Sequence, residues 1–165
     1  MTIALVTGAN RGIGLEICRQ LADRDITVLL TARSEHAAQQ AAQSLWDEGL
    51  DTVAPRTLDV ANDASVQRLA DLVRGELGVL DVLVNNAGVL LDEGTSALDA
   101  DLDVVRRTLE VDTLGTLRVA TGFAPLLRES AHPRIVNVSS GMGGLEEMGA
   151  GAPGGFFRNR RPVKW

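Results

Sequence analysis

Thr7-Gly8-Ala9-Asn10-Arg11-Gly12-Ile13-Gly14 lies between an apolar run, Ile3-Ala4-Leu5-Val6, and a segment with helical periodicity. Strand, glycine turn and helix in that order predict a site for phosphate. Gly8 permits a tight turn off the strand end, where a Cβ would be in the way. Gly12 lets backbone N–H groups come close to an anion, and Gly14 lets the helix pack hard on its strand. The start of the helix adds unsatisfied N–H donors and the positive end of its dipole. A ligand-free strand-to-helix turn is the other reading of these eight residues, so the rest of the chain has to choose between them.

Working outward, Gly14, Ile17, Cys18 and Leu21 fall on one helical face, which makes Cys18 a packing residue rather than a reactive one. Ile26 to Leu30 reads as a buried strand, and Ala38, Ala41, Ala42 and Leu45 as the inner face of the next helix. Thr52 to Leu58 is a weaker strand whose Pro55 predicts an edge position. Asn62 or Asp63 can cap a third helix with Val66, Leu69, Ala70, Val73 and Leu77 on its apolar face. Val79 to Val84 gives a fourth strand, running into Asn85-Asn86-Ala87-Gly88. One long helical region is expected from about Asp99 to Arg128, with Leu102, Val105, Leu109 and Leu117 buried. Ile135 to Val138 makes a fifth strand that ends in Ser139-Ser140-Gly141.

Regular alternation of strand and helix predicts βαβ units, right-handed crossovers and a parallel sheet with helices on both faces. Ligands of such sheets sit beyond the carboxyl ends of the strands. Gly8, Arg33, Asp59, Asn86 and Ser140 each follow a predicted strand at that end. A single edge that collects every polar motif favours the ligand-binding reading.

Composition narrows the partners. The 165 residues carry a net charge of −6, which argues against nucleic acid and anionic membrane surfaces. One cysteine excludes an internal disulfide, and no apolar run is long enough to span a membrane. A reducing, cytoplasmic setting is therefore expected. His36 and His132 are far apart with no ligand spacing around them, so no metal site is expected.

Past Gly141 the character changes. Gly141 to Gly155 holds 7 glycines in 15 positions, and all 22 acidic residues lie at or before Glu147. Phe156 to Trp165 carries Arg158, Arg160, Arg161 and Lys164 and no acid. A domain over 1–145 and an irregular basic tail over 146–165 are the expected division.

Three motifs in register, Thr7-Gly8-x-x-x-Gly12-Ile13-Gly14, Asn85-Asn86-Ala87-Gly88 and Val136-Asn137-Val138-Ser139-Ser140, resemble the short-chain dehydrogenase/reductase family over roughly Thr2 to Leu145. The segment from Val138 to Gly144 is most similar to bacterial and carbonyl-reductase-like members. The resemblance implies a Rossmann-type fold and hydride transfer between a nicotinamide cofactor and a small carbonyl or alcohol substrate. It implies that Gly8, Asn10, Arg11, Gly12, Ile13 and Gly14 hold the pyrophosphate. Asp59 would accept from the adenine amino group with Val60 beside the ring, and Asn86, Ala87 and Gly88 would line the adenosine ribose side. Ser140 would hydrogen-bond the substrate oxygen. An NAD site needs an acid after strand two, and this chain has Thr31-Ala32-Arg33-Ser34 there. Arg33 and Arg11 are suited to a 2′-phosphate, so NADP(H) is expected over NAD(H); two solvated arginines are the alternative.

The chain also departs from that family. A tyrosine in a Tyr-x-x-x-Lys pattern carries the family's acid–base step, and losing such a group costs about 10²–10⁴-fold in rate. Here the matching window is Gly151 to Gly155, there is no tyrosine anywhere, and the only lysine is Lys164. Asp112 stands where the family usually has an asparagine supporting a proton-relay water; an ionised aspartate accepts hydrogen bonds but cannot donate them. The sheet is expected to be incomplete after the fifth strand, as in a truncated or frame-shifted product, which would leave Ile135 and Val138 partly exposed and favour self-association. Three readings follow: an NADP-dependent oxidoreductase, a dinucleotide-binding remnant without catalysis, or a fragment that binds nothing tightly.

Overall fold

The computed structural model describes residues 2–91 and 99–140. The glycine- and arginine-rich tail, the boundary at 145 and Lys164 lie outside the described residues. Five strands, β1 (Ile3–Val6), β2 (Thr27–Ala32), β3 (Val53–Thr57), β4 (Val82–Asn85) and β5 (Arg134–Asn137), make one sheet in the order β3-β2-β1-β4-β5. Every pairing is parallel. The order reverses between β1 and β4, which opens a crevice at their carboxyl ends.

Helices connect the strands: α1 (Gly12–Ala22), α2 (Glu35–Trp46), α3 (Asp63–Glu76), α4 (Leu102–Leu109) and α5 (Thr116–Arg128). Ser34 caps α2 by accepting from the Ala37 N–H, and Asn62 caps α3 by accepting from the Ser65 N–H. Alternation along β1 divides the core in two. Ile3 and Leu5 meet Leu69, Val73, Val119 and Phe123 on one face of the sheet. On the other, Val6 meets Val28, Leu30, Cys18, Ala42 and Leu45. Both faces of a parallel sheet are thereby covered over its first four strands, as continuous apolar strands require.

Pro55 sits on β3 at the sheet edge, where its missing N–H costs no ladder bond. Of the inner faces expected for α2 and α3, Ala38, Ala41, Ala42 and Leu45, then Val66, Leu69, Ala70 and Val73, are all buried, whereas Leu77 caps the end of α3 and is half-buried. Two strand limits shift by more than one residue. β2 runs on to Ala32, where Thr31 and Ala32 pair with Arg56 and Thr57, and β4 begins only at Val82.

The expected long helix is instead broken by a π-helical turn, Glu110–Gly115, between α4 and α5. Each π turn takes an extra residue and shifts the phase of everything beyond it. The buried stripe of α5 is accordingly Val119, Phe123, Leu126 and Leu127. Leu102, Leu109 and Leu117 are exposed, correcting the expectation that they are buried; Val105 is half-buried. Gly122 lets α5 close on α3, since a Cβ there would stand 2.7 Å from Val66 Cγ1. Ile135 and Val138 are 49% and 39% exposed, as expected, at the last strand among the described residues. No described helix is long and apolar enough to cross a membrane.

Candidate functional site

The carboxyl ends of β1, β2, β3 and β4 surround a cleft of about 390 Å³. Its floor is the turn from β1 into α1. Gly8 holds a φ of +61°, and a Cβ on it would stand 2.8 Å from Ala87 Cα, so both the turn and the neighbouring backbone exclude a side chain. Gly14 is as closely confined, with the Asn86 side chain and the Gly8 carbonyl within 3 Å of any Cβ. Gly12, at φ +58°, faces open space.

Thr7 clamps this turn to the fourth strand. Its hydroxyl oxygen accepts from the Asn86 and Ala87 N–H groups, both at 2.9 Å. The Asn86 amide in return donates to the carbonyls of Thr7 and Gly8, at 2.9 and 3.1 Å. Ala9 N–H donates to the Thr31 carbonyl at 2.7 Å, which joins the turn to β2 as well. The chain therefore satisfies the inner backbone of the turn itself. α1, by contrast, has no side chain capping its first turn and no acid within it. Free N–H donors, a positive dipole end and Arg11 as the N-cap residue make this a place for an anion.

The twelve residues expected to hold a cofactor all line this one cleft: Gly8, Asn10, Arg11, Gly12, Ile13, Gly14, Arg33, Asp59, Val60, Asn86, Ala87 and Gly88. Leu58, Val89 and Val111 complete the lining. Asp59 is held by its surroundings, with its N–H donating to Ser65 Oγ at 3.0 Å and its Oδ1 accepting from the Ala61 N–H. Arg11 and Arg33 are both exposed.

Asp112 and Ser140 stand apart from the lining. Asp112, in the π-helical turn, accepts the Val89 N–H on Oδ1 at 2.9 Å, and its carbonyl accepts from the Thr116 hydroxyl. It therefore braces the segment after Gly88 as a hydrogen-bond acceptor. Ser140 lies exposed beyond β5, at the same end of the sheet as the cleft. β5 is tied to β4 there by Val138 N–H donating to the Asn85 carbonyl, and by the Asn85 amide donating to Asn137 Oδ1.

Sequence reasoning assigned no role to Thr7, Leu58, Val89 or Val111. A polar residue at the exit of a buried strand, here 1% exposed, is the signal that could have singled out Thr7. Val111 gave no such signal, because its direction depends on the π-helical turn.

The sequence model of the family described as short chain dehydrogenase matches residues 2–152. (+)-Neomenthol dehydrogenase of Arabidopsis thaliana is 40% identical over 168 residues, covering 88% of this chain and 55% of that protein. Carbonyl reductase (NADPH) 3 of Rattus norvegicus is 42% identical over 143 residues, covering 84% and 48%. Among solved structures, salutaridine reductase from Papaver somniferum superposes with a TM-score of 0.80 at 33% identity, over 88% of this chain and 60% of that one. The chain spans about half the length of the curated relatives it matches.

Proposed function

That this chain belongs to the short chain dehydrogenase family is the premise from which we propose its function: the cleft seats NADP(H), the cofactor of an oxidoreductase acting between small carbonyls and alcohols. One observation carries the proposal. All twelve residues singled out for a dinucleotide converge on a single cleft with an uncapped helix N-terminus at its floor.

The residues fit such a group by their own chemistry. The open face of Gly12 and the uncapped first turn of α1 would receive the pyrophosphate. Arg11 and Arg33, with no acid at the end of β2, would take a 2′-phosphate through charge-assisted hydrogen bonds. Asp59 would accept from the adenine amino group. When bound, the nicotinamide supplies a hydride donor or acceptor. Ser140 would donate to the substrate oxygen, and Asp112 would hold the Val89 backbone beside the cleft. A family relative whose name includes NADPH, the rat carbonyl reductase, supports the same choice of cofactor.

Titrating the chain with NADPH and NADH, followed by cofactor fluorescence, tests the reading. Saturable binding with NADPH the tighter is expected; no binding of either overturns it. A second reading, binding without turnover, is favoured by the lack of any tyrosine in the 165 residues. A panel of ketones and aldehydes with NADPH separates the two, since turnover would require another proton donor in tyrosine's place.

A further inference from the structure

Arg118 lies outside the cleft, with all three of its guanidinium nitrogens engaged. Its guanidinium, on α5, donates to three acceptors in two segments, the β3–α3 junction and the π-helical turn. Nη1 donates to the Val60 carbonyl at 2.8 Å, Nη2 to Glu110 Oε1 at 2.6 Å, and Nε to the Asp63 carboxylate. The side chain is only 19% exposed. Hydrogen bonds to Asp63 first, and Glu110 second, push its already high pKa further up.

One of these acceptors belongs to a wall of the cleft, and a second adjoins a lining residue. Val60 lines it directly, and Val111, the residue after Glu110, lines it as well. Val60 is gripped twice, because the bare Gly115 Cα leaves just enough room for its side chain: a Cβ on Gly115 would stand 2.9 Å from Val60 Cγ2. Resting on the dinucleotide reading above, we infer that Arg118 is a positioning residue for the cofactor. It fixes the Asp59–Val60 wall against the π-helical turn that carries Val111 and Asp112.

The chemistry explains why an arginine is needed. One planar fork reaches three acceptors at once, which the single ammonium of a lysine cannot do. Removing the fork would leave the Val60 carbonyl without its donor and two carboxylates, Asp63 and Glu110, without the charge that holds them together. Their repulsion would move the β3–α3 connection away from the π-helical turn and widen the cleft at Val60.

The test measures NADPH, NADH and ADP-ribose affinity in the unaltered chain and in Arg118→Met, Arg118→Lys and Gly122→Ala. Arg118→Met should weaken all three ligands about tenfold, the loss expected for one charged hydrogen bond. The ratio of NADPH to NADH affinity should stay constant, because the 2′-phosphate is read elsewhere. Arg118→Lys should show a smaller loss of the same pattern, and it carries the test where the methionine variant does not fold. Gly122→Ala drives a methyl into Val66, loosening α3 from α5 without touching Val60. It should lower the melting temperature yet leave the three affinities unchanged. Unchanged affinity in both Arg118 variants overturns the inference, as does a loss in Gly122→Ala that tracks its melting temperature as the Arg118 variants do. Failure of the unaltered chain to bind any of the three ligands overturns the dinucleotide reading itself, and this inference with it.

Discussion

Three glycines in one turn make unequal demands. Gly8→Ala meets both a left-handed φ and the Ala87 backbone at 2.8 Å, and should cost roughly 2–4 kcal/mol of stability. Gly12→Ala has the strained φ but open space around it, and should cost only about 1 kcal/mol while impairing NADPH binding. Urea unfolding of the two variants checks the order; equal costs would contradict the geometry. Under the proposed function, Arg33→Glu should reverse the preference between NADPH and NADH, moving their affinity ratio by at least about tenfold. Fluorescence titration with both cofactors reads this directly. Cys18 supplies a prediction for alkaline pH. Burial pushes its thiol from 9.0 up to about 12, so the folded chain keeps a proton that the unfolded chain releases. The stabilisation is complete below pH 9 and is lost as pH rises toward 12, at about 1.4 kcal/mol per pH unit. Cys18→Ala should flatten that part of a stability–pH curve, and the thiol of the folded chain should resist alkylation at neutral pH.

At the scale of the element, strand–helix alternation was plain from periodicity because each element buries one stripe or one face. Helix α4 and the turn after it were not. The chain from Leu102 onward has apolar residues at helical spacing, yet α4 buries none of its residues fully, and the π-helical turn resets the phase before α5. Leu114 and Leu117 consequently join Leu102 and Leu109 on the exposed surface. β5 adds Ile135, Val136 and Val138 to the apolar surface. Exposed apolar residues on an edge strand favour pairing between chains, so this chain should self-associate as its concentration rises. Ile135→Lys combined with Val138→Lys should shift sedimentation toward the single chain; a concentration-independent monomer in the unaltered protein would go against it.

For the whole molecule, the site and the fold are the same construction: four parallel strands end at one edge, and the turns leaving them make the cleft. A ligand that binds only this folded arrangement must stabilise it. NADPH at a hundredfold excess over its Kd should add about 2.7 kcal/mol to unfolding, seen as a rise in melting temperature of several degrees. NADH at the same concentration should give a smaller rise, and no shift with either would remove the case for a formed site.

Strand–helix alternation, the parallel sheet with helices on both faces and the gathering of polar motifs at one edge follow from local patterns: apolar runs, glycines at fixed offsets and polar residues just past each strand. Those patterns act over a few residues, and the parallel crossover rule converts them into a common edge. What required the tertiary structure is what depends on contacts between distant segments. The Thr7 clamp on Asn86 and Ala87, the grip of Arg118 on Val60, and the outward turn of Leu102, Leu109 and Leu117 are of that kind. A hydroxyl, a guanidinium or a leucine has the same local signature whichever way it points. The pairing of β1 with β4 sets that direction for Thr7, and the packing of α5 on α3, with the extra residue wound into the turn before it, sets it for Arg118 and Leu117.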